Sequence, residues 1–233
     1  MRSPDRTRTG QLLAEKLNRY ANRKGVVVAT VPPGGVPVAY EIAIALNAPL
    51  EILVPRILSY PQNPVLIMGA VSAEGTHVLH DEVIQWFKIP DAAIDAAIAI
   101  ESAESRRLSK LYRGDAPHLE VSGKTVILVD DGVTSFPSLR MTVTVLRLRC
   151  AAHIVLVVPI ATTSLVRGLQ AAVDEVVTCF TAGGSGPFPQ WHADLGQVTD
   201  QSVRDLYERA KSRLTGSKAD KPKRRKGIKA LQI

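Results

Sequence analysis

The chain has 233 residues, of which 45% are hydrophobic, and a formal net charge of +7. This length and composition exclude an intrinsically disordered protein and are sufficient for one domain with a sizeable core, with room for a small subdomain. The sequence has no apolar run of ~20 residues and no signal-peptide core, and its two cysteines lack zinc or disulfide spacing, so we expect a cytoplasmic protein with no membrane segment.

Short aliphatic runs alternate with amphipathic helical patterns along most of the chain. This alternation is typical of an α/β domain with parallel strands and right-handed crossovers. Between Arg56 and Gly75 the alternation stops, and we expect RILSYPQNP to form a loop and LIMGAV with THVL a hairpin or small additional sheet. The predicted helices span about 10–21, 36–46, 90–112, 138–149, 164–172 and 200–214, and the predicted strands 26–31, 51–55, 125–129, 154–159 and 175–179.

The stretch VILVDD, residues 126–131, is the strongest functional signal in the sequence. Its four aliphatic residues predict a strand buried on both faces, and Asp130 and Asp131 follow where that strand ends. Open parallel sheets bind ligands at the carboxyl ends of their strands. We therefore expect these carboxylates to hold ribose hydroxyls or Mg²⁺; the alternative is that one caps a turn and the other is exposed.

The residues after the acids, GVTSFPS, predict a phosphate-binding loop. Thr134, Ser135 and Ser138 offer hydroxyls, and a helix that begins near Ser138 offers unpaired backbone N–H groups. Pro137 has no N–H, and Phe136 does not readily adopt the positive φ that glycine allows. Alternatively, Ser138 only caps the helix.

A second candidate loop, VPPGGVPVA, lies between a predicted strand and a predicted helix. Gly34 and Gly35 allow backbone amides to approach an anion closely, and the helix start behind them adds its dipole. The same residues also fit an ordinary turn. Arg56, predicted to end a strand, is positioned to clamp a diphosphate, or else is a surface charge.

The basic residues are concentrated at the end of the chain. Residues 215–233 contain seven Lys or Arg and one Asp, which leaves a net charge of only +1 in residues 1–214. We expect residues 1–214 to form the folded domain and residues 215–233 a disordered tail, which either contacts nucleic acid or an acidic partner or simply aids solubility. The five histidines are scattered and receive no catalytic role, and Trp191 stacks on a base or closes the core.

Together these motifs resemble the type I phosphoribosyltransferase family, whose signature is an aliphatic run, two acids and a Gly- and Thr-rich loop. VILVDDGVTSFPS matches it from Val126 to Ser138. The closer likeness is to bacterial proteins with a phosphoribosyltransferase domain, in which segments like DRTRTGQLLAEKL, VPPGGVPVAYEIA, NPVLIMGAVSAEG and LYRGDAP occur in this order. The likeness runs from about Asp5 to Tyr207.

The resemblance implies a central parallel sheet flanked by helices, with a small hood subdomain. It also implies transfer of ribose 5-phosphate from phosphoribosyl diphosphate to an unidentified base or small nucleophile, with release of pyrophosphate and with Mg²⁺ as cofactor. In this reading Asp130 and Asp131 hold the ribose hydroxyls, directly or through Mg²⁺. The residues that bind the substrate are then Pro33, Gly34, Gly35, Arg56, Gly132, Val133, Thr134, Ser135, Phe136 and Ser138.

The chain departs from the family pattern in ways that leave a second function open. Pro33 stands where the family usually has Arg, Ile57 where relatives carry Lys, and Phe136 where Gly is usual. Lost contacts to a diphosphate weaken binding and turnover. The alternative is therefore a catalytically degenerate protein that binds phosphoribose or a nucleotide for regulation, with or without RNA contact through the tail. Pro32 before Pro33 leaves a cis peptide accessible, and the oligomeric state, a homodimer included, is open.

Overall fold

A computed structural model describes residues 5–131, 136–163, 166, 168, 171–182 and 197–216. Its centre is a five-stranded sheet in the order β2-β1-β6-β7-β8, in which every neighbouring pair of strands is parallel. A separate antiparallel sheet has the order β3-β4-β5. The strands are β1 Val26–Thr30, β2 Leu50–Ile52, β3 Arg56–Tyr60, β4 Asn63–Val71, β5 His77–Leu79, β6 Thr125–Val129, β7 His153–Thr162 and β8 Glu175–Ala182.

Helices connect and cover the strands of the central sheet. The helices are α1 Arg6–Lys16, α2 Gly35–Leu46, α3 Asp81–Phe87, α4 Asp91–Arg113, α5 Phe136–Leu148 and α6 Asp200–Gly216, with a short 3₁₀ turn at Asn18–Tyr20. This arrangement confirms the predicted parallel α/β fold. No helix among the described residues is long and apolar enough to cross a membrane.

The central strands are buried on both faces because alternate side chains contact different helices. Ile127 of β6 packs in a cluster with Leu13 of α1 and Ile42 of α2. Its neighbour Leu128 packs in the opposite cluster, with Leu146 of α5. The uninterrupted aliphatic run of β6 therefore contributes side chains to two hydrophobic clusters, one on each face of the sheet.

The antiparallel sheet β3-β4-β5 and helix α3 form a small layer that we call the hood. Its core includes Leu58, Met68 and Val71, and Ile94 of α4 packs against them. The additional sheet predicted after Arg56 is thus confirmed, but the predicted RILSYPQNP loop is wrong. The first five residues of this segment form β3. The two prolines do not prevent this, because they lie in the tight turn and at the exposed start of β4, where a missing N–H costs little.

Several other boundaries differ from the predicted ones for local reasons. Helix α1 begins at Arg6 because Asp5 caps it, accepting a hydrogen bond from Arg8 N at 2.6 Å. Helix α5 begins at Phe136, so that Pro137 lies in the first turn, where its missing N–H breaks no intrahelical bond. Helix α3 was not predicted, most of the predicted helix 164–172 lies outside the described residues, and so do Trp191 and the tail beyond residue 216.

Candidate functional site

The two acids of VILVDD lie at the carboxyl end of β6, at the edge where a parallel sheet binds its ligands. Asp130 and Asp131 are 4% and 5% exposed, so both carboxylates are withdrawn from bulk water. The Asp130 N–H donates to Val157 O of β7 at 3.0 Å, which extends the β6–β7 ladder past the end of the strand. Because β6 lies between β1 and β7, the loop after β1 reaches the same place.

The loop Val31–Gly35 closes one side of this position. A Cβ atom on Gly34 would overlap Asp131 Oδ2 and lie 2.8 Å from Asp131 Cγ, so the loop backbone contacts the carboxylate directly. A Cβ on Gly35 would overlap the Thr30 hydroxyl, which itself donates to Val129 O at 2.9 Å. The Pro32–Pro33 peptide is cis, in agreement with the sequence. Both glycines are therefore required by close approach, and α2 begins immediately behind them.

A cation from the other end of the sequence also reaches the acids. Arg6 Nη2 of α1 lies 3.4 Å from Asp131 Oδ2, and the two side chains are 15% and 7% exposed. The sequence motifs predict no role for Arg6. The only available signal was that DRTRTG belongs to the segments that resemble the family, since 125 positions separate Arg6 from Asp131.

The predicted phosphate loop is only partly covered by the structure. Gly132, Val133, Thr134 and Ser135 lie outside the described residues. The backbone of residues 136–138 forms the first turn of α5, whose N–H groups have no partners within the helix. Their side chains, including those of Phe136 and Ser138, are outside the description, and their roles stay predictions.

The prediction that Arg56 ends a strand is wrong. Strand β2 stops at Ile52, and Arg56 is the first residue of β3. Its Nε donates to Glu101 Oε2 of α4 at 2.8 Å. Arg56 nonetheless lines the same cleft as Pro32, next to the candidate site. This cleft has a volume of about 510 Å³ and lies between the loop after β1, the hood, α4 and α5, and its walls include Val31, Pro32, Arg56, Ile57, Glu101 and Thr142.

A second polar cluster, which sequence reasoning missed, lies at the edge strand β2. Glu51 is fully buried and accepts hydrogen bonds from Arg113 Nη1 at 3.3 Å, His118 Nδ1 at 2.6 Å and Leu119 N at 3.1 Å. His118 Nε2 lies 2.6 Å from Glu74 Oε1, in the turn between β4 and β5. His118 therefore joins the hood to the central sheet.

The charge of His118 follows from its two partners. Carboxylate oxygens only accept hydrogen bonds, so both ring nitrogens donate together only in the imidazolium form. Burial by itself lowers the pKa of His118, but the hydrogen bonds to Glu51 and Glu74 outweigh burial and raise that pKa above 6.5. The hydrogen bond from His118 is the main cause that lowers the pKa of Glu74 to about 2.

The two clusters differ in what they offer a ligand. In the Glu51 cluster the charges of Arg113, His118 and Glu74 are matched within the protein. At the carboxyl edge of the sheet, adjacent carboxylates meet a glycine loop, a guanidinium and a helix start beside a cleft of ligand size. Within the described part of the chain, no three His, Cys, Asp or Glu residues gather as a metal site. The carboxyl edge is therefore the candidate functional site.

Comparison with known proteins finds relatives of this chain. A Mycobacterium tuberculosis (strain H37Rv) protein with the provisional name phosphoribosyl transferase Rv0571c is 34% identical over 206 residues, which cover 88% of this chain and 46% of that protein. A protein of strain CDC 1551, provisionally named phosphoribosyl transferase MT0597, gives the same values. The chain thus spans about half the length of these curated relatives.

Among solved structures, TT1426 from Thermus thermophilus is similar with a TM-score of 0.75 and 30% sequence identity. The match covers 89% of this chain and 98% of TT1426. The family model described as the phosphoribosyl transferase domain matches residues 3–183, and the chain belongs to that family.

Proposed function

We propose that the protein binds phosphoribosyl diphosphate at the carboxyl edge of the central sheet and transfers ribose 5-phosphate to a nitrogenous base or another small nucleophile. The observation that carries this proposal is the contact between the buried Asp131 carboxylate and the Gly34 backbone. It brings an acidic, hydroxyl-binding group against a loop able to accept an anion. A phosphorylated sugar whose anomeric carbon bears a diphosphate presents both chemistries side by side.

Asp130 and Asp131 are the groups proposed to hold the ribose ring. A buried carboxylate accepts hydrogen bonds from vicinal hydroxyls, and such bonds to a charged acceptor are the stronger kind. The same pair suits Mg²⁺, which commonly takes one or two protein carboxylates and completes its shell with substrate oxygens and water. When bound, the ion would supply positive charge to the diphosphate. Among the described residues no third acidic ligand joins the pair, so Asp130 and Asp131 fit an ion that is shared with substrate oxygens.

In the proposed reaction, the bond between the anomeric carbon and the diphosphate oxygen breaks and a bond from the nucleophile to the same carbon forms. The nucleophile releases its proton to solvent, and pyrophosphate leaves with the electron pair of the broken bond. Positive charge develops on the ribose ring, as in glycosyl transfer generally. The carboxylates of Asp130 and Asp131, held away from water, are suited to stabilise that charge.

The acceptor is proposed to occupy the cleft of about 510 Å³ beneath the hood. Its size is within the range of small-molecule sites. Its walls are mixed: Val31, Pro32 and Ile57 are apolar, while Arg56 and Glu101 form an ion pair at 2.8 Å. Such walls suit a flat, largely apolar ring with a few hydrogen-bonding edges.

The decisive experiment measures pyrophosphate release from phosphoribosyl diphosphate with Mg²⁺ and a panel of nucleobases and small amines. We expect release with at least one acceptor, and at least a hundredfold slower release for Asp131→Asn, because the carboxylate that faces the developing charge is neutralised (about 2.7 kcal/mol). The matched control is Asp115→Asn, whose carboxylate is 91% exposed in a surface ion pair. Equal rates for all three proteins would contradict the proposed role of Asp131.

A second candidate function is binding without turnover, and Pro33 is the observation that favours it. The loop against Asp131 contains the cis Pro32–Pro33 pair, and proline has no backbone N–H to donate to a leaving diphosphate. Titration calorimetry separates the two functions. Micromolar binding of phosphoribosyl diphosphate without turnover on any acceptor supports the binding protein, while an absence of binding rejects both.

A further inference from the structure

We propose that Arg6, on the amino-terminal helix α1, is the residue that binds the diphosphate group of the substrate. The inference rests on the proposed function and adds to it a residue outside the loops that the family motifs identify. In this arrangement the positive charge for the leaving group comes from α1 and not from the loop after β1. Three features of the structure support it.

The first feature is the position of the Arg6 guanidinium. Its Nη2 lies 3.4 Å from Asp131 Oδ2, and the Gly34 backbone contacts that same oxygen atom. Arg6 and the glycine loop therefore converge on one point at the carboxyl edge of the sheet. A diphosphate that approaches the Gly34 amide also comes within reach of Arg6.

The second feature is how firmly α1 holds this position. Asp5 caps the helix, and Gly10 lies so close to α2 that a Cβ there would be 2.6 Å from Glu41 Cβ and 2.8 Å from Val38 O. Helix α2 begins at Gly35, directly behind the loop. Because α1 packs tightly on α2, the Arg6 backbone is fixed relative to the loop. The side chain is only 15% exposed, so its charge acts in a poorly screened environment.

The third feature is the composition of the loop itself. Residues 31–35 read VPPGG and contain no cation, and two of the five lack a backbone N–H. A diphosphate gains negative charge as its bond to the ribose breaks, so the site needs a positive group nearby. A guanidinium suits this task, because its fork of N–H donors matches phosphate oxygens bidentately and keeps its charge at every physiological pH.

The contact with Asp131 gives Arg6 a defined position before substrate arrives. Asp131 is also proposed to hold the ribose. When substrate binds, the ribose hydroxyls donate to the Asp131 carboxylate, and the Arg6 guanidinium donates to the phosphate oxygens. Each group then exchanges one charged partner for another. The ion pair between Arg6 and Asp131 therefore orients both side chains without competing permanently for the ligand.

The test compares two ligands, pyrophosphate and ribose 5-phosphate, by titration calorimetry on the full chain with Mg²⁺. For Arg6→Gln we expect affinity for pyrophosphate to fall about ten- to a hundredfold and affinity for ribose 5-phosphate to change less than about threefold. Arg6→Lys keeps the charge and loses the fork, so its pyrophosphate affinity should be intermediate. The control is Arg8→Gln, on the same helix, whose guanidinium contacts only exposed Gln11 among the described partners.

Two results would overturn the inference. If Arg6→Gln and Arg6→Lys bind pyrophosphate as the wild type does, or if each loses both ligands equally, then Arg6 only neutralises Asp131. Thermal unfolding of each variant shows whether a loss of binding to both ligands arises from misfolding. If Arg6→Gln misfolds, the pyrophosphate affinity of Arg6→Lys, which keeps the positive charge beside Asp131, decides the outcome. Failure of the wild type to bind either ligand would instead reject the proposed function, and the inference with it.

Discussion

The backbone of Gly34 lies directly against Asp131 Oδ2, although the two residues are in different loops of the sheet. Gly34 has φ −67° and ψ −35°, ordinary helical values that any residue adopts. Glycine is therefore required at this position by lack of space and not by backbone conformation. The loop after β1 and the acid after β6 therefore pack directly against each other, with no space for a methyl group between them.

This fit predicts the effect of adding one methyl group. Gly34→Ala should destabilise the protein by about 1–3 kcal/mol, because its Cβ would overlap a buried carboxylate that has little freedom to move. It should also abolish measurable binding of phosphoribosyl diphosphate, since relief of the overlap displaces Asp131. Urea unfolding and calorimetry measure the two effects.

A double variant isolates the cause. In Gly34→Ala combined with Asp131→Ala, the atom that is overlapped is gone, so the destabilisation should be smaller than the sum of the two single changes by at least about 0.5 kcal/mol. Strict additivity would mean that the Gly34 side of the loop is limited by some other contact.

The Thr30 hydroxyl links β1 to β6 just before the acids. It donates to Val129 O at 2.9 Å in a fully buried position. Thr30→Val keeps the shape and removes the donor, so the free energy of unfolding should fall by about 1–3 kcal/mol because a buried carbonyl loses its partner. Thr30→Ser keeps the hydroxyl and is the matched control: it should cost less than Thr30→Val, and the reverse order would show that packing of the methyl group dominates.

The parts of the fold that follow from local sequence were predictable. The run VILV predicts β6 because a short aliphatic run of β-branched residues is typical of a strand with two buried faces, and the acids then fall at its end by chain order alone. Helix α4 likewise follows from the acidic residues near its start and the basic residues near its end, which the helix dipole favours. In each of these segments, local pattern and tertiary burial favour the same structure.

What escaped prediction depends on contacts between distant segments. The Arg6–Asp131 and Glu51–His118 pairs join residues 125 and 67 positions apart, and no periodicity links them. Pro61 and Pro64 favour a loop in the sequence, but they lie at the turn and the exposed end of a hairpin, and strand β3 precedes them. Pairing with β4, which decides that segment, is a tertiary property.

Glu51 predicts a large and asymmetric effect on stability. Its carboxylate is fully buried and forms an ion pair with Arg113, which is itself only 4% exposed. Glu51→Ala leaves that guanidinium buried without its partner, and we expect a loss of about 3–5 kcal/mol in the free energy of unfolding. Glu51→Gln retains an acceptor oxygen and should lose less.

The surface pair Lys110–Asp115 serves as the control for Glu51. Its side chains are 76% and 91% exposed, so Asp115→Ala should change stability by no more than about 0.5 kcal/mol. A Glu51→Ala protein as stable as this control would show that Arg113 finds another partner when the carboxylate is removed. Urea denaturation of the four proteins supplies the comparison.

The His118 bridge between Glu51 and Glu74 predicts a defined pH dependence. The pKa of His118 is raised above its ordinary 6.5, so its contribution to stability is complete below about pH 6.5 and is lost as pH rises through the folded-state pKa. The pKa of Glu74 is lowered to about 2 from 4.5, so its contribution is complete above about pH 4.5 and is lost as pH falls toward 2. The bridge should therefore stabilise the folded protein most between about pH 4.5 and about pH 6.5.

Substitution of the imidazole tests this window. The stability difference between wild type and His118→Gln should be greatest near pH 5.5. It should shrink above pH 6.5, as pH rises toward and through the raised folded-state pKa of His118, and below pH 4.5, as pH falls toward the folded-state pKa of Glu74. His153→Gln is the control, because its ring is 41% exposed and lies 3.8 Å from Asp174, too long for a strong hydrogen bond. A difference that stays constant from pH 4 to pH 9 would mean that His118 holds the hood by packing alone, whereas a maximum in the predicted window would show that one imidazolium joins the hood to the central sheet.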